Sequence, residues 1–140
     1  MKIQYLLPSL LLTLLMAETV NADTVIIVNN QSKVASLDQE QIADIYLGKS
    51  PTLPNGDQVV AIDYHENVAL RDTFHSAVTG KSQNQLKSYW SRLIFSGKGT
   101  PPKEVEDESA MKSLVAKNPD VLGYINSENL DDTVKVVFRF

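Results

Sequence analysis

The sequence has 140 residues, 43% hydrophobic and 21% charged, a globular composition that excludes collagen-like, coiled-coil and disordered chains. Thirteen Lys and Arg against 17 Asp and Glu leave a net charge of −4, so no basic footprint exists for nucleic acid or anionic lipid. The absence of cysteine excludes disulfides, thiol catalysis, zinc–thiolate sites and a lipidated N-terminal Cys.

Lys2 supplies a minimal positive start, and the apolar stretch Ile3 to Met16 follows it. That run is shorter than the roughly 20 residues that cross a bilayer. It ends in Ala17-Glu18-Thr19-Val20-Asn21-Ala22, the layout of a secretory signal peptide cleaved after Ala22. No second run approaches membrane length, so the reading predicts one soluble domain over residues 23–140. Export without cysteine points to the periplasm of a Gram-negative cell.

Thr24 to Val28 is apolar and β-branched throughout, as a buried strand should be, and Asn29-Asn30-Gln31-Ser32 breaks it. Ser36 and Gln39 are spaced as a capping box for a helix carrying Ile42, Ile45 and Tyr46, with Gly48 placed to end it. Lys49 to Gln58 reads as an exposed turn because of Pro51, Pro54 and Asn55-Gly56-Asp57. Val59 to Ile62 is the second strand, ending at Asp63, and a helix from about Asn67 to Val78 puts Leu70, Phe74, Ala77 and Val78 on one face. A second capping box, Ser82 to Gln85, opens the most clearly amphipathic helix, with Leu86, Tyr89, Trp90, Leu93 and Ile94. Ser96 to Lys103 is a loop by composition. Asp107 then caps a helix carrying Met111, Leu114 and Val115, and Pro119 follows its end. Val121 to Ile125 and Val134 to Phe138 are the last strands. The order β-α-β-α-α-α-β-β predicts an α/β domain with a small mixed β-sheet covered by helices.

Catalytic patterns are missing from this list. His65 and His75 lack a metal-ligand spacing, and His75 reads as a residue of the helix surface. Glu104, Glu106, Asp107 and Glu108 lack the alternating ligands and central Gly of a calcium loop and read as a solvated helix start. No Gly-x-Ser-x-Gly elbow occurs, and Gly97-Lys98-Gly99-Thr100 lacks the spacing of a phosphate loop. Tyr89, Trp90 and Phe95 read as a core stripe. An enzyme is therefore not expected, nor any cofactor or metal. What remains is the pair of loops Asn29 to Ser32 and Tyr64 to Asn67, each after a strand, where open α/β sheets bind ligands. Helix starts there offer free N–H groups to an anion, and Arg71 adds a charged donor fork one turn further on.

Several segments carry a resemblance when taken in order. They are Ile42-Ala43-Asp44-Ile45-Tyr46-Leu47-Gly48-Lys49, Leu53-Pro54-Asn55-Gly56 before Val59-Val60-Ala61-Ile62, and Leu70-Arg71-Asp72-Thr73-Phe74. Tyr89 to Gly97, Pro101-Pro102 and Leu122-Gly123-Tyr124-Ile125 complete the series. Together they make Leu37 to Ile125 similar to the periplasmic substrate-binding proteins of phosphate ABC importers, in a short one-lobe form. The resemblance implies a single periplasmic-binding-protein-like lobe of type II. In the full-length relatives two lobes surround the ligand, and a Ser-Gly-Thr turn before the matching Arg cradles phosphate. Here that turn reads Val68-Ala69-Leu70, and only Arg71 carries over; the family's Pro-Gly before the Gly-Tyr strand reads Pro119-Asp120.

Two functions follow as expectations. One is a domain recognising phosphate or another small oxyanion for ABC import or sensing, with Ser32 as hydroxyl donor, Asn67 as cap or donor and Arg71 as charge partner. A second copy in a homodimer could then cover the far side of the anion. The other is a non-catalytic envelope module that has lost the ligand. It would present the Lys49 to Gln58 and Ser96 to Lys103 loops to a membrane-protein or envelope partner.

Overall fold

Thr24–Asn29 forms β1, and all six of its residues are buried, which is why its sequence shows no polar alternation. The computed structural model describes residues 23–140, so the expected signal peptide lies outside the described residues. After β1 come α1 (Gln39–Tyr46), β2 (Val60–Tyr64), α2 (Ala69–Val78) and α3 (Gln83–Phe95). They are followed by β3 (Lys103–Val105), α4 (Glu108–Lys117), β4 (Val121–Asn126), a single 3-10 turn and β5 (Val134–Arg139). The expected α/β class is what folds: a five-stranded mixed sheet in the order β3-β2-β4-β1-β5.

Strand direction decides where the ends of the sheet lie. β2 runs parallel to β3 and β4, while β1 is antiparallel to both β4 and β5. Thr24 stands opposite Asn126, and Val28 opposite Leu122. The C-terminal end of β1 therefore lies at the N-terminal end of β4, beside the start of β2.

Helices cover both faces. Phe74 of α2 stacks on Tyr124 at 3.9 Å between centroids, with Tyr46 of α1 edge-on to both. The preceding residue, Gly123, turns to the other face. A Cβ there would lie 2.5 Å from Met111 Sδ and 3.1 Å from Val115 Cγ2, so the missing side chain is what lets α4 approach β4. The Tyr46 hydroxyl donates to the Ile62 carbonyl at 2.9 Å, tying α1 to β2.

Most element boundaries agree with expectation. The Ser82–Gln85 capping box and the Asp107 cap are present, Gly48 ends α1 at φ +71°, and Trp90 is buried. Four readings need correction. The first helix is boxed by Asp38 and Gln41, not Ser36 and Gln39, because the Leu37 N–H donates to the Val137 carbonyl at 3.0 Å and holds that segment extended. Lys103 opens β3, a three-residue edge strand paired only with β2 and too short for any alternation to show. Phe95 is 95% exposed, since α3 turns its last residues away from the sheet. His75 is 2% exposed, for the reason given next.

Candidate functional site

Asp63 is the fourth residue of β2, and it can be buried because two side chains and a backbone N–H converge on it. His75 Nε2 lies 2.7 Å from Oδ2, the Tyr124 hydroxyl donates to Oδ1, and the Tyr64 backbone N–H donates to Oδ1 at 2.8 Å. His75 Nδ1 faces Thr79 Oγ1 at 3.2 Å. A buried carboxylate needs such partners, and this requirement draws His75 into the core. Burial pushes the Asp63 carboxyl up, but the bond and charge of His75, the Tyr124 hydroxyl and the Arg71 guanidinium outweigh it and hold it below its ordinary value. Burial drives the Tyr124 phenol far upward, with the Asp63 charge adding to the effect, so it stays a donor.

Arg71 stands four residues before His75, on the same side of α2. Its Nη1 donates to Glu104 Oε2 of β3 at 2.8 Å. Its Nε is buried 3.8 Å from Asp63 Oδ2, too far for a hydrogen bond, and has no acceptor among the described residues. A guanidinium carries five N–H donors, so most of this fork is unspent.

Arg71 lines a half-open cavity of about 240 Å³ beside the C-terminal half of β2 and the segment that leads into β3. Its polar lining includes Asp63, Glu66, Arg71, Lys87 and Glu104. Lys87 Nζ pairs with Glu66 at 3.1 Å near the solvent. Leu86, Trp90, Ile94, Pro101 and Pro102 are the cavity's apolar lining, and Gln83 and Ser91 of α3 add uncharged polar groups. The charge on the lining is nearly balanced, so an anion must exchange with these internal pairs to use Arg71.

Of the three residues predicted to bind ligand, Arg71 alone lines this cavity. Ser32 sits at the other end of the sheet beside Asp57, Gln58 and Asp120, because β1 is antiparallel to its neighbours. There its hydroxyl accepts from the Val34 N–H at 3.4 Å, and its carbonyl accepts from Lys135 Nζ at 2.6 Å. Asn67 is an exposed turn residue; the cap position of α2 falls on Val68, which makes no side-chain cap bond. Sequence reasoning missed Asp63, His75, Tyr124 and Glu104 as members of the site. The available signal was the four-residue spacing of Arg71 and His75, next to an acid closing an apolar strand.

This architecture is one lobe of a substrate-binding-protein fold. Solved structures that share it include an ABC-type phosphate transport receptor from Vibrio cholerae (TM-score 0.68, 22% identity), with 83% of this chain covering 45% of that one. Another is a putative phosphate ABC transporter substrate-binding protein with bound phosphate from Clostridium perfringens (TM-score 0.68, 24% identity, 83% and 44%). A third is PstS from Borrelia burgdorferi (TM-score 0.64, 11% identity, 83% and 46%). The chain spans less than half the length of each, and no protein-family profile matches it. The resemblance read from the sequence thus holds as a likeness of fold.

Proposed function

We propose that this chain is a periplasmic, substrate-binding-protein-like module that recognises phosphate or a related small oxyanion for ABC import or sensing. One observation carries the reading: Arg71 lines a cavity beside the C-terminal half of β2, and among the described residues only its Nη1 has a hydrogen-bond acceptor. A guanidinium with spare donors is well matched to an oxyanion, which its planar fork can hold by two hydrogen bonds. The fold shared with phosphate receptors supports the same assignment. Export and cleavage after Ala22 belong to this proposal. So does contact with a membrane transporter component, because an importer must receive the ligand from its carrier. The test is a thermal shift with phosphate, sulfate and chloride at matched ionic strength, repeated on Arg71→Gln. A ligand at 100 times its Kd raises stability by about 2.7 kcal/mol. The expected result is a rise with an oxyanion that Arg71→Gln removes; equal curves in all three salts would reject the reading.

A second reading, an envelope module that binds a protein, has its own support. Phe95 at 95% and Ile94 at 54% exposure stand beside the Ser96 to Lys103 segment, an apolar projection that isolated globular surfaces seldom need.

A further inference from the structure

We infer that the cavity beside Arg71 selects an organic oxyanion, a phosphonate, phosphate monoester or carboxylate carrying an apolar substituent, over inorganic phosphate. The inference rests on the oxyanion reading above and adds the nature of the rest of the ligand. Arg71 supplies donors from α2, while Gln83, Lys87 and Ser91 are the polar part that α3 adds to the lining. The apolar part of the lining is Leu86, Trp90 and Ile94 of α3 with Pro101 and Pro102. None of these five side chains can hydrogen-bond to a phosphate oxygen except through the Trp90 indole N–H.

A free phosphate dianion entering this space would lose water against the apolar part of the lining, which offers nothing in return. A ligand with one anionic end and one apolar end meets both surfaces: the head takes the guanidinium, and the body removes apolar area from water. The volume agrees. At about 240 Å³ the cavity lies just below the small end of ordinary ligand sites, roughly 300–1,000 Å³, which are mostly apolar with a few polar groups fixing orientation. Ile94 is the telling residue. It is 54% exposed on a helix whose inward face is already filled by Leu86 and Trp90, so packing of the core does not require a large apolar group there.

Trp90 is the single tryptophan of the chain and lines the cavity, so its fluorescence reports binding directly. The experiment titrates the purified exported protein with phenylphosphonate, methylphosphonate and inorganic phosphate, by fluorescence and by calorimetry. Phenylphosphonate and methylphosphonate share a head and differ in the body. Phenylphosphonate is expected to bind at least about tenfold tighter than either of the others, a difference of about 1.4 kcal/mol. Ile94→Ser, a change at an exposed position, is expected to narrow that preference severalfold. Equal affinity for all three would overturn the inference and leave the oxyanion reading standing. A preference untouched by Ile94→Ser would also overturn it. If none of the three binds, both readings fall together.

Discussion

His75 Nε2 and Asp63 Oδ2 lie 2.7 Å apart, with side chains 3% and 4% exposed, and this contact fastens α2 to the C-terminal half of β2. It also sets a dependence on pH. The Asp63 carboxyl is held below its ordinary value of 3.8 in the fold, so the unfolded chain takes up its proton more readily. The stabilisation is complete above the unfolded value and is lost as pH falls through the folded one. Urea midpoints are expected to hold near neutral pH and fall below about pH 4. Asp63→Asn removes the buried charge beside Arg71 and the acceptor of the Tyr124 hydroxyl, and breaking a buried charge pair typically costs about 3–5 kcal/mol. The variant should be destabilised at pH 7 and show a shallower loss in acid. Parallel acid profiles for the two proteins would mean that Asp63 does not carry this dependence.

Gly123 meets α4 with no room to spare, and the constraint is steric. A methyl group at this position would lie 2.5 Å from Met111 Sδ, and Met111 is fully buried. Gly123→Ala should therefore push α4 off the sheet, at the roughly 1–3 kcal/mol typical of overpacking. In a Met111→Ala background the same substitution should cost less, because the clashing atoms are gone. Equal costs in both backgrounds, measured by chemical denaturation, would place the strain elsewhere.

Trp90 closes the other side of the molecule. It is 8% exposed, and a Cβ built on Gly48 would lie 3.1 Å from its Cη2, so the ring packs over the end of α1. The Tyr89 hydroxyl donates to the Leu47 carbonyl at 2.5 Å beside it. Trp90→Ala should lower stability by about 3–5 kcal/mol, the usual cost of deleting a packed aromatic. An unchanged unfolding midpoint would mean that α3 is not anchored through this ring.

The elements legible in the sequence were those whose signal is local. Ser82 and Gln85 announce a capping box, Gly48 a left-handed stop, and Thr24 to Val28 a buried strand, each through the neighbours it meets along the chain. β3 was not legible, because Lys103 to Val105 becomes a strand only through its pairing with β2. The site was half legible for the same reason. Arg71 stands out by type and position, whereas His75 looks like a surface residue until Asp63 and Tyr124, 12 and 49 positions away in the chain, are brought to it by the sheet. Ser32 looked equivalent to the second loop because direction is invisible in a strand's composition. The antiparallel pairing of β1 with β4 is what moved it to the opposite end.

Oxyanion binding at Arg71 is limited by the residues around it. The turn before it reads Val68-Ala69-Leu70, and Leu70 is buried while Val68 packs against the core, so neither position can offer a hydroxyl donor. Hydrogen bonds to charged groups contribute roughly 1.5–3 kcal/mol each. Two fewer of them cost on the order of two to four decades in Kd. Inorganic phosphate should therefore bind no tighter than about micromolar, and Arg71→Ala should abolish the heat of binding. Glu104 adds a second brake. Its carboxylate holds Arg71 Nη1 at 2.8 Å and places a negative charge at the rim, where an incoming anion must displace it. Because that carboxylate is more than a third exposed, the solvent screens much of the pair. Glu104→Gln removes the charge and keeps the shape, and should tighten oxyanion binding by about tenfold, or about 1.4 kcal/mol. Isothermal titration of the wild type and of both variants at one fixed ionic strength decides the matter. If Glu104→Gln weakens binding, the Glu104 carboxylate is part of what holds the ligand, and the anion approaches Arg71 from another side. A nanomolar Kd in the unaltered protein would show that the missing hydroxyls are replaced from a source outside this turn, a second copy of the chain being the first to examine by sedimentation with and without ligand.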